Sequence, residues 1–192
     1  AVVTGGPKTG EIFSTMPFDH LLFTGSTSIA PHVIRGSAEN IMPLTLELGG
    51  KSPVIVSQSA NMKQTADRII FAKTLNAGQI CLAPDYIMVP EDQKETFSNL
   101  AMDSIRTMFP TLKENQDYTS IINERNYDRL KGYLADAKRK GAEIIEINPA
   151  EENFTQQQHF KIPPTLVINP SDNMKLMQEE IFGPILPIKT YQ

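Results

Sequence analysis

Pro53-Val54-Ile55-Val56-Ser57, a helical stretch over 61–77 and Asp85-Tyr86-Ile87-Met88-Val89 form one strand–helix–strand unit, and its reading decides the fold. Both outer runs are short, apolar and rich in β-branched residues, which suits buried strands. Between them Ala66, Ile69, Ile70, Lys73 and Ala77 recur at three- and four-residue spacings, a helix face that is apolar apart from one lysine. Two strands joined by a crossover helix lie parallel. The alternation continues outward. Upstream, residues 20–24 read as a buried strand before the turn Gly25-Ser26, residues 27–36 as a short helix ending near Gly36, and residues 43–48 as a strand before Gly49-Gly50. Ala1-Val2-Val3-Thr4 reads as a further strand running into Gly5-Gly6. Downstream, Pro90 stops the 85–89 strand and residues 91–109 form an amphipathic helix with Phe97, Leu100, Ala101, Ile105 and Met108 on one face. Residues 123–140 form another, with Tyr127, Leu130, Leu134 and Ala137 inward and Gly141 as its C-cap. Strands follow at 143–147, 165–168 and 185–189, with a polar loop at 148–161 and a short helix near 173–178. The pattern predicts an α/β fold, a three-layer αβα arrangement around a mostly parallel sheet.

Composition narrows the class. Of 192 residues, 40% are hydrophobic and 21% charged, enough apolar surface for a core without staples. The single cysteine, Cys81, excludes a disulfide scaffold. No run of about 18 apolar residues exists, so no membrane span is expected. No charged-then-apolar leader opens the chain, and a cytoplasmic location is the expectation. The net charge of −4 argues against nucleic-acid binding. The one basic cluster, Lys138-Arg139-Lys140, reads as a helix C-terminus where cations suit the dipole. The chain opens without Met and ends just after an apolar run, which leads us to expect a piece of a longer protein.

Three stretches hold residue types suited to chemistry, and a parallel sheet places its ligand at the carboxyl ends of its strands. Cys81 lies between the 61–77 helix and the 85–89 strand. A reachable thiol of lowered pKa there is a nucleophile; a buried one is structural, the commoner fate of a free cysteine. His20, His32 and His159 lie in three different settings, so no Cys–His pair is supported and no metal cluster is expected. Glu47 sits between two leucines before Gly49-Gly50. It is either partly desolvated and suited to base work, or exposed on the wet face of a strand. In Glu179-Glu180-Ile181-Phe182-Gly183-Pro184, an aromatic plane beside a carboxylate suits a ring and a sugar hydroxyl; the alternative is a solvated helix end. Gly25-Ser26, between a strand and a helix, is a weaker place for phosphate, lacking the later glycines of the dinucleotide fingerprint.

In this order, Phe23-Thr24-Gly25-Ser26-Thr27, Leu46-Glu47-Leu48-Gly49-Gly50-Lys51-Ser52-Pro53, Asn76-Ala77-Gly78-Gln79-Ile80-Cys81 and Glu179-Glu180-Ile181-Phe182-Gly183-Pro184 resemble the successive signatures of the aldehyde dehydrogenase superfamily. Cys81-Leu82-Ala83-Pro84-Asp85-Tyr86 and Phe18-Asp19-His20 look most similar to its class 3, fatty-aldehyde and coniferyl-aldehyde branch. The resemblance implies oxidation of an aldehyde to a carboxylic acid with NAD or NADP. It implies that Cys81 is the nucleophile and Glu47 the base for the deacylating water. It further implies that Gly25 and Ser26 meet the pyrophosphate, Leu48 and Gly49 border the nicotinamide, Glu180 holds the nicotinamide ribose and Phe182 packs near the ring. Residues 1–45 would end a Rossmann-like cofactor domain and 46–192 would form the catalytic domain, truncated at its C-terminus. The parent would be a homodimer acting on a small-molecule aldehyde.

Two signatures of the family are missing here: the aromatic-Pro-Trp-Asn-type motif whose Asn completes the oxyanion hole, and the Lys-Pro-Ser-type motif that grips the adenosine ribose. The isolated chain is therefore expected to be inactive or nearly so. Two other readings compete. A thiol esterase or acyltransferase would need Cys81 and Glu47 without a cofactor. A non-catalytic interaction module would use its exposed apolar surfaces.

Overall fold

The computed structural model describes residues 1–155 and 157–192; Gln156, within the loop expected at 148–161, lies outside the described residues. The chain divides into two compact units, Ala1–Gly50 and Lys51–Gln192.

In the first unit, β1 (Leu21–Gly25) and β2 (Leu44–Leu48) pair in parallel, in register from Leu21↔Leu44 to Gly25↔Leu48. The strand expected at residues 1–4 does not form. Residues 1–6 hold no regular element, Val2 and Val3 are exposed, and a helix that the sequence reading missed, α1 (Pro7–Phe13), follows. So short an apolar run has little to bury and no strand to pair with, whereas Pro7 is pre-set for a first helical turn. The next helix, α2, runs Ala30–Ala38, and Gly36 lies inside it rather than ending it. A Cβ at Gly36 would stand 2.6 Å from Ser14 Oγ, so this glycine serves close packing of the segment after α1.

The second unit is a five-stranded sheet in the order β3-β4-β7-β6-β5. Its strands are β3 (Pro53–Ile55), β4 (Tyr86–Pro90), β5 (Glu143–Glu146), β6 (Thr165–Ile168) and β7 (Ile185–Tyr191). All neighbours are parallel except β5, which runs antiparallel to β6 at the edge. Both edges are blunted, β3 by Pro53 and β5 by exposed Glu143 and Glu146. One face carries α3 (Met62–Thr74) and α4 (Lys94–Met108). There Ile69, Ile70, Phe97, Ala101 and Ile105 pack with Ile87, Val89, Leu166, Ile168, Leu186 and Ile188. The other face carries α5 (Glu124–Arg139), whose Leu130, Tyr133 and Ala137 pack with Val167 and Ile185. Period-2 alternation along β6 and β7 sends successive side chains to opposite cores, which is the three-layer αβα arrangement expected.

Caps fix the helix ends. Asn61 and Asn123 accept from the backbone N–H of Gln64 and Asn126. Gly141, at φ +83, closes α5: its N–H donates to Lys138 O and that of Ala142 to Ala137 O. Arg139 and Lys140 pair with the buried Asp136, which accounts for two members of the basic cluster.

Candidate active site

The segment from α3 to β4 does not continue as helix to residue 77. Asn76, Ala77 and Gly78 take left-handed φ values of 51, 52 and 72. For Asn76 and Ala77 this costs roughly 1–2 kcal/mol per residue, so the surroundings must hold it. They do. A Cβ on Gly78 would lie 2.4 Å from the carbonyl oxygen of Gly183, and one on Gly183 would lie 2.5 Å from Leu130 Cδ2. Glycine at both positions lets the loop before β4, the turn before β7 and α5 stack in contact. Gln79 locks the loop: its Nε2 donates to Asn76 O (3.1 Å) and Ser120 O (3.0 Å), and its Oε1 accepts from Ile122 N (2.9 Å).

A turn follows, closed by Ala83 N donating to Ile80 O at 3.0 Å, with Cys81 and Leu82 at its apex. Cys81 is exposed and Leu82 is 84% exposed. Of the two readings of the thiol, the buried structural one does not hold.

Asp85 ends this loop and is buried. One carboxylate oxygen pairs with Lys51 Nζ; the other accepts from Ile181 N at 2.8 Å. Lys51 Nζ also donates to Leu176 O (2.8 Å) and Glu179 O (3.1 Å). One ion pair thus ties residues 51, 85 and 176–181 together. The short helix α6 (Lys175–Gln178) leads into this last segment. Tyr133 OH donates to Glu179 Oε2 at 2.7 Å, and Arg129 donates to Glu180 O. Burial, then the bond to Glu179, raises the Tyr133 pKa. Glu180 is half-buried, and Phe182, at φ +48, is 38% exposed. Lys73, on the last turn of α3, is buried and holds its ammonium without a hydrogen-bond partner. Burial drives its pKa down to about 8, with Asp85 and Glu180 pulling it up and Lys51 pushing it down.

In the second unit the structure therefore brings the Cys81 loop and the Glu180–Phe182 turn together. It does so at the amino ends of β3, β4 and β7, not at the carboxyl ends expected. The reason is connectivity: Lys51, Cys81 and Phe182 all precede the strand they lead into. In the first unit the candidate residues lie at the carboxyl ends of the strands. Gly25 and Leu48 are register partners at the ends of β1 and β2, and Ser26 and Gly49 follow them. Ser26 is exposed, its hydroxyl bonded to that of Ser28 at 3.0 Å. Glu47 is exposed, not desolvated, because alternation along β2 half-buries Leu44, Leu46 and Leu48 and turns Thr45 and Glu47 outward. Lys51, Asp85 and Tyr133 escaped the sequence reading as a clamp. The one available signal was Lys73, the charge in an otherwise apolar helix stripe.

The aldehyde dehydrogenase family description matches residues 1–192, the whole chain. This chain belongs to the aldehyde dehydrogenase family. It is 58% identical over 192 residues to a probable coniferyl aldehyde dehydrogenase of Caulobacter vibrioides, covering 100% of this chain and 40% of that protein. Its fold superposes on the substrate-bound state of Staphylococcus aureus AldH with a TM-score of 0.87 at 38% identity, over 99% of this chain and 40% of that one. It superposes on an aldehyde dehydrogenase C variant from Pseudomonas syringae, solved with NAD+ and octanal, with a TM-score of 0.85 at 27% identity, over 98% of this chain and 39% of that one. Other similar solved structures are a betaine aldehyde dehydrogenase of Staphylococcus aureus with NAD+ and a 3,6-anhydro-L-galactose dehydrogenase with NADP. The chain spans about 40% of the length of the curated relatives it matches. Among its described residues no helix is long and apolar enough to cross a membrane.

Proposed function

We propose that the protein carrying this chain oxidises an aromatic or long aliphatic aldehyde to its carboxylic acid with NAD or NADP. The observation that carries this reading is the exposed Cys81 at the apex of a turn seated, through Gly78 and Gly183, on the Glu180–Phe182 turn. The residues present suit a nicotinamide dinucleotide: Glu180 offers a half-buried carboxylate and Phe182 an exposed ring on a constrained backbone. Glu180 would accept from the ribose hydroxyls, Phe182 would pack on the nicotinamide side, Leu48 and Gly49 would border it, and Gly25 and Ser26 would meet the pyrophosphate.

Cys81 Sγ, as thiolate, bonds to the carbonyl carbon while the C=O pair moves to oxygen. The Cys81 backbone N–H donates to that oxyanion. A nicotinamide dinucleotide, when bound, would supply the hydride acceptor that oxidation of the Sγ adduct to a thioester requires. Glu47 then takes a proton from the water that attacks the thioester carbon; the C–S bond breaks, releasing the acid and returning the thiolate. Exposure of Glu47 on the β2 face leaves it reachable by water, which suits that role.

By role, residues 1–45 belong with cofactor binding and residues 46–192 with the thiol chemistry, in a cytoplasmic homodimer. The test is NADH or NADPH formation by the complete protein with coniferyl aldehyde, benzaldehyde and octanal. Turnover in the ordinary enzyme range, ~1–10³ s⁻¹, is expected, and Cys81→Ala abolishes it while NAD binding persists. A Cys81→Ala variant that still oxidises aldehydes would overturn the assignment.

A further inference from the structure

We propose, resting on the reading of Cys81 as the nucleophile, that Gln79 is a positioning residue. It ties the backbone entering the thiol turn to residues 118–122 and so fixes the direction of the Cys81 N–H and side chain. Cys81 and Leu82 are exposed, so their side chains have little packing of their own to hold them. Their placement is inherited from the backbone on either side. Downstream, the buried Asp85 anchors it: Asp85 N donates to Ser52 O at 2.9 Å, and the carboxylate is bonded to Lys51 and to Ile181 N. Upstream lie Asn76, Ala77 and Gly78, all left-handed. For the first two that conformation persists only where neighbours enforce it, and such strain clusters at functional sites.

Gln79 enforces it from a fixed support. Besides its side-chain bonds to Asn76 O, Ser120 O and Ile122 N, its backbone N–H donates to Asn76 O at 3.1 Å, and Asn76 Nδ2 donates back to Gln79 O at 3.1 Å. Asn76 and Gln79 thus bond reciprocally across the left-handed turn. The support is firm: Tyr118 and Ile121 are buried, Tyr118 OH donates to Ile162 O at 2.6 Å, and Ile121 N donates to Phe160 O at 3.1 Å. A neutral amide can donate to two carbonyls and accept from an N–H at once; a carboxylate cannot donate, and a thioether is only a weak acceptor. The direction set at Gln79 is carried one peptide further. Ile80 O accepts from Ala83 N within the turn at 3.0 Å, and across a trans peptide the Cys81 N–H points opposite to that carbonyl. Rotation of the loop at residue 79 therefore swings the oxyanion donor and the thiol together off the line of attack, while leaving the thiol exposed. A misplacement of about 1 Å costs on the order of a hundredfold in rate.

The experiment compares kcat, the aldehyde KM, the NAD Kd and the rate of Cys81 alkylation by iodoacetamide in the complete protein, with melting temperature as the control for folding. Gln79→Met fills the same space without the three side-chain bonds. It is expected to lower kcat about a hundredfold while KM and Kd stay within about threefold of the parent. Cys81 alkylation also stays within about threefold, because iodoacetamide needs an exposed thiolate and no oriented partner. Gln79→Glu keeps an acceptor for Ile122 N but turns a carboxylate toward two carbonyls, and its kcat falls as far. If Cys81→Ala still oxidises aldehydes, the nucleophile reading fails and this proposal with it. If Cys81→Ala is inactive but Gln79→Met keeps the parent's kcat, Gln79 is packing alone and this proposal is overturned by itself. A Gln79→Met protein whose alkylation rate falls along with kcat has lost the thiol rather than its direction, which overturns the proposal equally. Should Gln79→Met not fold, Gln79→Glu is read in its place, and a parental kcat there overturns it.

Discussion

Burial holds the Lys73 ammonium at a pKa of about 8, against 10.5 for an ordinary lysine. Between those values the unfolded chain binds a proton that the folded chain does not, so stability rises with pH from about 8 to about 10.5. At pH 7 both states are protonated and the burial penalty acts in full, on the order of 3 kcal/mol. Lys73→Met is therefore expected to raise the melting temperature at pH 7 and to flatten its rise between pH 8 and 10.5. Thermal denaturation of the complete protein across that range checks it; a lower melting temperature would make Lys73 a structural anchor instead. A buried, unpaired charge that costs stability calls for a reason beyond packing. The sequence showed Lys73 in its apolar stripe but not its burial, since periodicity does not say whether a flexible side chain turns back to water. Cys81 and Glu47 were legible as chemical groups in the same limited sense. Their exposure was not, because it depends on which face of a turn or strand the neighbours cover.

At the level of elements, one ion pair joins three segments that are far apart in the chain. Lys51 and Asp85 are bonded to each other, to residue 181 and to the carbonyls of residues 176 and 179. Removing one partner strands the other in a poorly solvated place, which typically costs about 3–5 kcal/mol. Asp85→Ala is expected to destabilise the protein by about 3 kcal/mol in urea denaturation. The double variant Lys51→Met with Asp85→Leu should recover most of that loss, because the uncompensated charge is gone. If the double variant is no better than Asp85→Ala, the backbone bonds rather than the charges hold the clamp. Every strand from β1 to β7 was readable from short apolar runs, and α3, α4 and α5 from their spacing. Two features were not. α1 follows a β-like apolar run and is set by Pro7, and the left-handed turn at 76–78 is set by contact with Gly183, which lies more than a hundred positions away. Local propensity has no access to a contact of that range. The same limit explains why Cys81 and Phe182 were expected at the other end of the sheet: the rule concerns the ends where strands stop, and these residues lie where the chain enters the strands.

For the whole molecule, the motifs announced the family over the full length of the chain, and the family match covers the same residues. They did not announce a competent enzyme. The chain holds a thiol, a candidate base and the Glu180–Phe182 turn, but neither the aromatic-Pro-Trp-Asn-type nor the Lys-Pro-Ser-type signature. It spans 40% of its Caulobacter relative. Loss of a single oxyanion donor costs about 10²–10³ in rate in a well-characterised protease. Loss of the adenosine ribose grip removes further binding energy that would orient the nicotinamide over Cys81. The isolated 192-residue chain is therefore expected to form no NADH above background with any aldehyde of the panel. Its Cys81 should still be alkylated by iodoacetamide, since the thiol is exposed at the apex of its turn. The comparison is made with the complete protein at equal concentration, following absorbance at saturating NAD and, separately, the labelling rate. Turnover by the isolated chain at an ordinary enzymatic rate would show that Gly25, Ser26, Glu180 and Phe182 suffice to hold the cofactor. A silent chain with a labelled thiol would place the missing rate in cofactor binding and oxyanion support rather than in the nucleophile.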